Sequence, residues 1–410
     1  MPPCPSRPPG GGPRGGGPAG LYFSILAKLT NRQHDITVIE RNPAGVTYGW
    51  GVVFWNDLLN DLHRNDPVSA RQIEEAAARW DTQEVHLRGQ LATRVGADGF
   101  SMGRDRLLDI LTRRARELEV DIRYQCDVQD LSAFADAELI VACDGVNSRL
   151  RQQHAPHFQP RVEEGKNKYI WLGTNKVFDA FTFAFAQTPA GWLWFHAYRF
   201  NNETSTCIVE CQQQTWEALG FGTMGPEETL RKLEDIFQRH LKGHSLFHQL
   251  RGMGKAPWLH FKRITNERWY HDKVALMGDA AHTTHFSIGS GTKLAIQDAI
   301  ALARRLREHN HLPDALQAYD EERRSALVAI QLAARSSSEW FESVPDHIDQ
   351  STLQFAHALL NRRGSSVWSY LLLLASQQPA LRGVLRGIHA SRRWVRSQQH
   401  GRRGDQARPA

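Results

Sequence analysis

The sequence predicts an α/β fold in which a nucleotide-binding domain is interrupted by an inserted β-sheet domain and followed by a helical C-terminus. Short β-branched runs ending in an acid alternate with helical segments before and after the middle of the chain. Between them, residues 168–210 are aromatic and strand-like, broken by Gly, Asn or Pro clusters, as antiparallel strands of one sheet are. The α/β pattern resumes at Val274, and the text after Ala315 reads as helices.

Residues 1–14 are rich in Pro and Gly and are expected to be disordered. Next comes Gly15-Gly16-Gly17-Pro18-Ala19-Gly20, which fits G-x-G-x-x-G. That pattern marks a phosphate loop when a strand precedes it and a helix follows. Leu21–Leu29 supplies the helix, but Pro8-Pro9-Gly10 cannot donate or pack as a central strand does. The first strand is therefore expected to be degenerate, or replaced by a terminus foreign to the functional protein. Support comes from Glu40, which closes the strand-like run DITVIE twenty positions after Gly20. An acid there bonds a ribose hydroxyl in a βαβ dinucleotide unit, with Arg41 beside it. Gly15 then makes the tight turn, Gly17 lets backbone approach a pyrophosphate, and Gly20 allows close helix packing. The helix start offers free N–H groups and partial positive charge.

Gly103–Leu118 reads as an amphipathic helix, with Leu107, Leu108, Leu111 and Leu118 on one side and arginines opposite. Leu139–Asp144 is a buried strand that runs into Gly145. An acid and a glycine at that end lie where α/β sheets bind ligands, although Asp-Gly is also an ordinary turn pair. The same theme returns at Val274–Met277, which delivers Gly278-Asp279, an irregular loop, then Gly289 and Gly291 before the helix Thr292–Glu308. Asp279 is placed to accept hydrogen bonds from ligand hydroxyls. The helix beginning near Gly291 aims its positive end at a group that gains negative charge, as a reduced flavin does. A helix cap and plain turns are the structural alternative.

Composition narrows the classes. An apolar fraction of 41% and 12 tryptophans fit a packed globular protein. The net charge of +6 is concentrated in residues 382–410, and the rest of the chain is near neutral, which argues against a nucleic-acid partner. Five cysteines without a C-x-x-C pair argue against a metal site and suit a reducing, cytoplasmic setting. No apolar run approaches the length of a membrane span, and no signal peptide is visible.

The three ligand-end segments together resemble the flavin-dependent aromatic hydroxylases of the para-hydroxybenzoate hydroxylase fold. Arg104, with Leu107 and Leu111, also fits that family's R-x-x-L-x-x-x-L helix, whose arginine approaches the flavin side chain. A narrower resemblance rests on GWGVVF, WLGT, FDAFTFAF, AHTTHFSIGSGTKLAIQDAIALA and SSSEWFESVP. These are similar to the salicylyl-CoA 5-hydroxylase and 2-aminobenzoyl-CoA monooxygenase group, which includes enzymes of anthranilyl-type acids on an aryl-carrier protein.

The resemblance implies a Rossmann-like FAD-binding domain built from 15–75, 100–160 and 262–330. It implies a substrate domain from 76–99 and 161–261, C-terminal helices over 331–381, and a basic tail over 382–410. It implies FAD, with NAD(P)H and O2 as co-substrates, and hydroxylation at ring position 5 of a 2-amino- or 2-hydroxybenzoyl thioester. Residues implied at FAD are Gly15, Gly17, Gly20, Glu40, Arg41, Arg104, Asp144, Gly278, Asp279, Gly289 and Gly291. Where the wider fold shows a Pro-Pro pair, this chain has His285-Phe286, and Thr292-Lys293 replaces a turn in which Asn is common at the second place. His285 is the candidate catalytic residue: it either bonds or deprotonates the substituent that activates the ring, or only packs. His196, Tyr198 and Phe286 are candidates to line the ring pocket, with core packing as the alternative for His196 and Tyr198. His282 reads as structural, and the basic tail reads as a solvated end or a patch for an acidic carrier protein or CoA phosphates. The rival readings are a hydroxylase of a free aromatic acid or indole-type metabolite, and a non-catalytic relative of the fold.

Overall fold

A computed structural model describes residues 13–128, 131–249 and 258–363. Two sheets carry it. The first has the spatial order Tyr270–His271, Val274–Leu276, Ile140–Ala142, Pro13–Arg14, Thr37–Ile39, Asp121–Arg123. All its pairings are parallel except the one at the Tyr270–His271 edge. Each run read from the sequence as a buried strand is there: Thr37–Ile39, Ile140–Ala142 and Val274–Leu276 are buried throughout. Parallel strands covered on both faces are apolar without alternation, which is why these runs stood out.

The strand expected to be degenerate is present at minimal length. Pro13 and Arg14, expected to be disordered, form the central strand: Arg14 registers with Ile39 on one side and Ala142 on the other. The Gly15 amide then donates to the Ile39 carbonyl at 2.8 Å. Two residues need few N–H donors, so a proline at the first of them is tolerated. Pro8-Pro9-Gly10 and the basic tail lie outside the described residues.

Helices α1 (Pro18–Thr30), α2 (Arg104–Glu117) and α3 (Gly291–Glu308) cover the first sheet, with α1 packed against both others. Leu21, Tyr22 and Ile25 of α1 meet Leu107, Ile110 and Leu111 of α2 in one core with Leu294, Ile296 and Leu302 of α3. Burial of these side chains stabilises the layer by about 1.5–3 kcal/mol each before entropy is charged.

The second sheet has the order Leu246–Phe247, Pro160–Thr174, Ser205–Cys211, Gly191–Arg199, Phe181–Thr188, Ala78–Leu87, Gln90–Gly103, Gly51–Phe54, with Leu259–Asn266 also paired to Pro160–Thr174. Gly51–Phe54 falls inside the 15–75 segment read as nucleotide domain, yet it pairs with Gln90–Gly103 and belongs to this sheet. Strand period sorts the aromatic block into two faces. Leu193, Phe195 and Ala197 face a core with Leu233 and Phe237, whereas Trp192 and Trp194 face Trp340, Phe341 and Phe355.

Helix α4 (Leu312–Glu342) ties the two sheets together. Its first half adds Leu316, Tyr319 and Leu327 to the first core, and its end adds Trp340 and Phe341 to the second. The 330/331 boundary read from the sequence thus falls within one continuous helix. Among the described residues no helix is long and apolar enough to cross a membrane.

Candidate functional site

The carboxyl ends of the first sheet gather the glycines and acids singled out in the sequence. Gly15 has φ +125°, and a Cβ there would lie 2.2 Å from the Cys143 carbonyl oxygen, so only glycine fits between the two strand ends. Gly16 donates its N–H to Glu40 Oε2 at 2.8 Å, while Glu40 Oε1 accepts from the backbone and side chain of Asn42. Three of about four acceptor positions on that carboxylate are filled, leaving room for one further donor. Arg41, next to it, is exposed. Gly17 is the N-cap of α1 without a side-chain cap, and a Cβ there would meet nothing within 4 Å. Gly20 is buried inside the helix.

Asp144 accepts from the Arg149 amide at 2.9 Å through Oδ2, but its buried Oδ1 has no partner. Gly145 follows at φ +84°. Asp279 is exposed by area yet surrounded by Arg104, His282, Asp298 and Arg151, as an acid on the floor of a cleft is. Arg104, at the start of α2, feels both Asp279 and Glu40 and donates to Thr47 Oγ1 at 3.1 Å. Gly278 adopts φ +60°, and Gly289 adopts φ +62° where a Cβ would meet Val53 at 2.7 Å. Gly291 opens α3 with nothing within 4 Å of its would-be Cβ, and that helix start also lacks a side-chain cap.

These observations test the fit of a flavin dinucleotide. Two uncapped helix starts present free N–H groups over open glycines, the arrangement that binds phosphate or a developing anion. The orphaned Asp144 Oδ1 and the open Asp279 carboxylate await hydroxyl or N–H donors. The residues fit the group.

Behind the loop that joins Asp279 to Gly289 lies a buried polar cluster among aromatic rings. His285 and Phe286 sit on this loop; the Phe286 ring lies 5.4 Å from His196 and 4.8 Å from Tyr169, and Phe261 lies 4.9 Å from His285. Strand period puts His196 on the same face as Trp194, and Glu210 opposite Trp194 on the next strand. Glu210 accepts from Trp194 Nε1 at 3.0 Å and from Asn167 at 2.8 Å. Burial pushes its carboxyl up, and the hydrogen bonds from Asn167 and Trp194 with the charge of Arg362 offset this only in part. Burial holds His285 down to about 4 and His196 to about 3, so both are neutral at pH 7. His285 Nδ1 meets Ser287 Oγ at 2.7 Å, Ser287 Oγ meets Ser337 Oγ at 2.7 Å, and Arg362 Nε donates to Ser337 Oγ at 2.9 Å.

The structure thus brings His285, Phe286 and His196 together. Tyr198 is placed differently: its hydroxyl donates to the Gly51 carbonyl at 2.8 Å and its ring stacks on Phe181, a packing arrangement. His282 bonds Asp298 at 2.8 Å and stacks on Trp269. Burial alone would raise the Asp298 carboxyl, but His282 and Arg323 hold it below its ordinary value. Lys293 pairs with Asp57. Sequence reasoning missed Glu210, Asn167, Ser287, Ser337 and Arg362. Only Glu210 carried a signal, as a lone acid in the apolar strand STCIVEC.

Comparison with known proteins shows the family. The family profile described as "FAD binding domain" matches residues 91–335, more than half of the chain. The chain is 38% identical to a salicyloyl-CoA 5-hydroxylase of Streptomyces sp over 85% of its own length and 68% of that protein's. It is 34% identical to the 3-hydroxy-4-methyl-anthranilyl-[aryl-carrier protein] 5-monooxygenase of Streptosporangium sibiricum, over 90% and 98% of the two chains. It is 31% identical to the protodeoxyviolaceinate monooxygenase of Chromobacterium violaceum, over 86% and 94%. Among solved structures, 2-methyl-3-hydroxypyridine-5-carboxylic acid oxygenase superposes with a TM-score of 0.67 at 20% identity, covering 88% of this chain and 96% of that one. The family profile and relatives of this kind lead to one conclusion: the chain belongs to the FAD-binding-domain family, as an FAD-dependent aromatic monooxygenase.

Proposed function

We propose that this enzyme hydroxylates position 5 of a 2-hydroxy- or 2-aminobenzoyl ring held as a thioester of CoA or an aryl-carrier protein, in the cytoplasm. The observation that carries the reading is the buried His285 among the rings of Phe286, Phe261, Tyr169 and His196, on the loop between Asp279 and Gly289. Relatives named for CoA and carrier-protein thioesters support the tether.

Gly15, Gly17, Gly20 and the start of α1 would hold the pyrophosphate of FAD, Glu40 and Arg41 its ribose end, and Arg104 and Asp279 its ribityl chain. Asp144 with Gly145, and Gly278 with the Gly289–Gly291 turn and the start of α3, would complete the cradle. Held by these residues, FAD would supply the redox chemistry, electrons from NAD(P)H and activation of O2 for transfer of one oxygen atom to the ring. The start of α3 favours negative charge that develops beside it. An amino or hydroxyl group at ring position 2 pushes electron density to position 5, and His285 bonds that end of the substrate. The aromatic walls hold the ring flat and exclude water.

The test is substrate-stimulated NAD(P)H oxidation with product mass, using free acid, CoA ester and loaded carrier protein in parallel. Gain of one oxygen by a thioester is the expected result. Gain by a free acid or an indole-type metabolite alone would refute the tether, a reading that the 31% identity to the protodeoxyviolaceinate enzyme keeps open. Absence of flavin absorbance after FAD is added would refute the enzyme itself.

A further inference from the structure

The chain Arg362–Ser337–Ser287–His285 is directed by a donor that cannot accept at each end, a guanidinium at Ser337 and a backbone amide at His285. The Arg362 Nε–H points at Ser337 Oγ, 2.9 Å away, so that hydroxyl accepts there. Ser337 has one proton of its own, and the oxygen facing it is Ser287 Oγ at 2.7 Å. Ser287 then sends its proton to His285 Nδ1, also at 2.7 Å. A second donor agrees: the Ser287 backbone N–H points at the same Nδ1 from 3.4 Å, and a backbone amide never accepts. Both donors find a lone pair on Nδ1, so the ring proton of a neutral His285 sits on Nε2.

Arg362 is itself fixed. Its Nη1 donates to the Leu359 carbonyl at 2.7 Å and its Nη2 to the Ser287 carbonyl at 2.7 Å, and its guanidinium lies over the rings of Phe183 and Phe341. Arg363 adds a second donor to the Ser287 carbonyl at 2.9 Å. The serine that orients His285 is therefore clamped at its own backbone. No described residue bonds Nε2.

We propose that Arg362, Ser337 and Ser287 are positioning residues that lock His285 in its Nε2–H form, so that it meets the substrate as a hydrogen-bond donor to an oxygen and not as a base. This rests on the proposed function for the identity of the substrate, but the tautomer does not. Of the two roles left open for His285, the network selects hydrogen bonding, since a nitrogen that already carries its proton cannot remove another. The acceptor is an oxygen at ring position 2 or the thioester carbonyl; a 2-amino nitrogen is a poor acceptor.

The experiment uses the full chain loaded with FAD and labelled with 15N-histidine. Two-bond 1H–15N correlations report the tautomer, with His285 assigned by the signals lost in His285→Leu. The expected spectrum at pH 7.5 shows His285 neutral with its proton on Nε2. In Ser337→Ala and Ser287→Ala, an Nδ1–H form of a tenth or more is expected, because the 2.7 Å hydroxyl donor is lost or freed and only the longer 3.4 Å backbone amide still favours a lone pair on Nδ1. An imidazolium, or an Nδ1–H form in the wild type, would overturn the proposal, and an unchanged tautomer in both serine variants would overturn the positioning role.

Binding of 2-hydroxybenzoyl-CoA, 2-aminobenzoyl-CoA and benzoyl-CoA, read from the shift in flavin absorbance, tests the donor. His285→Leu is expected to weaken 2-hydroxybenzoyl-CoA roughly tenfold. Benzoyl-CoA weakened equally identifies the carbonyl as acceptor; benzoyl-CoA spared identifies the ring oxygen. No weakening of either overturns the donor role. Should the wild type bind no thioester, the proposed function and the donor's partner fail together, while the tautomer stands on its own spectrum.

Discussion

Gly15 and Gly17 lie two positions apart in one loop, yet alanine at each is expected to fail in a different way. At Gly15 an added Cβ would sit 2.2 Å from the Cys143 carbonyl oxygen, and φ is +125°. The backbone conformation alone costs an L-residue about 1–3 kcal/mol, and the forced shift of a neighbouring main chain costs a similar amount. Gly15→Ala is therefore expected to lose roughly 2–6 kcal/mol of stability in the flavin-free protein, a large share of the roughly 5–15 kcal/mol that a folded domain has. At Gly17 φ is −76° and ψ is 174°, ordinary for alanine, and the new methyl would meet nothing. Gly17→Ala should leave the flavin-free protein unchanged or stabilise it by about 0.4–1 kcal/mol. Its methyl instead occupies the space where backbone approaches a pyrophosphate, so FAD affinity should drop at least tenfold, about 1.4 kcal/mol. Urea denaturation of the flavin-free proteins and FAD titration by fluorescence quenching read the two effects separately. Wild-type FAD affinity in Gly17→Ala would refute the placement of the phosphates, and wild-type stability in Gly15→Ala would refute the strand-end packing.

Three further outcomes follow from the same geometry. Asp279→Ala should cut FAD affinity roughly tenfold or more while the flavin-free melting temperature stays put, since the carboxylate is exposed and makes no hydrogen bond with the described residues; thermal melts with and without FAD check this. Asp298→Ala strips the partners of His282, Arg323 and the Gly278 amide at once, and about 3–5 kcal/mol of stability should go with them in urea denaturation. His285 is lowered from 6.5 to about 4 in the fold, so the native state takes up its proton later than the unfolded state does. Its contribution is complete above pH 6.5 and declines as pH falls toward 4, amounting to roughly 2 kcal/mol between pH 7.5 and 5. His285→Gln should show a correspondingly shallower acid loss, and an unchanged pH slope would refute the buried, neutral ring.

Much of the architecture was legible because its signals are local. DITVIE, LIVACDG and VALMGD announce themselves as buried parallel strands, and helices α1, α2 and α3 carry their apolar faces openly. The central strand did not, because two residues carry no periodicity and one of them is a proline. What makes Pro13–Arg14 a strand is the pair of neighbours already formed on either side, a tertiary cause that no local pattern records. The buried cluster behind His285 was hidden for a related reason. Asn167, Ser287, Ser337 and Arg362 are ordinary polar residues spread over nearly half of the chain, and only folding makes them one network. Tyr198 shows the converse: it shares a strand face with His196, but its hydroxyl is already spent on Gly51.

Helix α4 has a practical consequence for anyone recombining this enzyme with its relatives. At 31 residues it is a rod of about 46 Å, rooted at one end in the core of the first sheet and at the other in the aromatic core of the second. A chimera that exchanges only the inserted sheet would mate a foreign surface to the native Trp340 and Phe341. One that cuts near residue 330 would splice two helices and leave their rotational phase to chance. Crossover points outside Leu312–Glu342, with the rod inherited whole alongside its aromatic partners, preserve the fit between the two sheets.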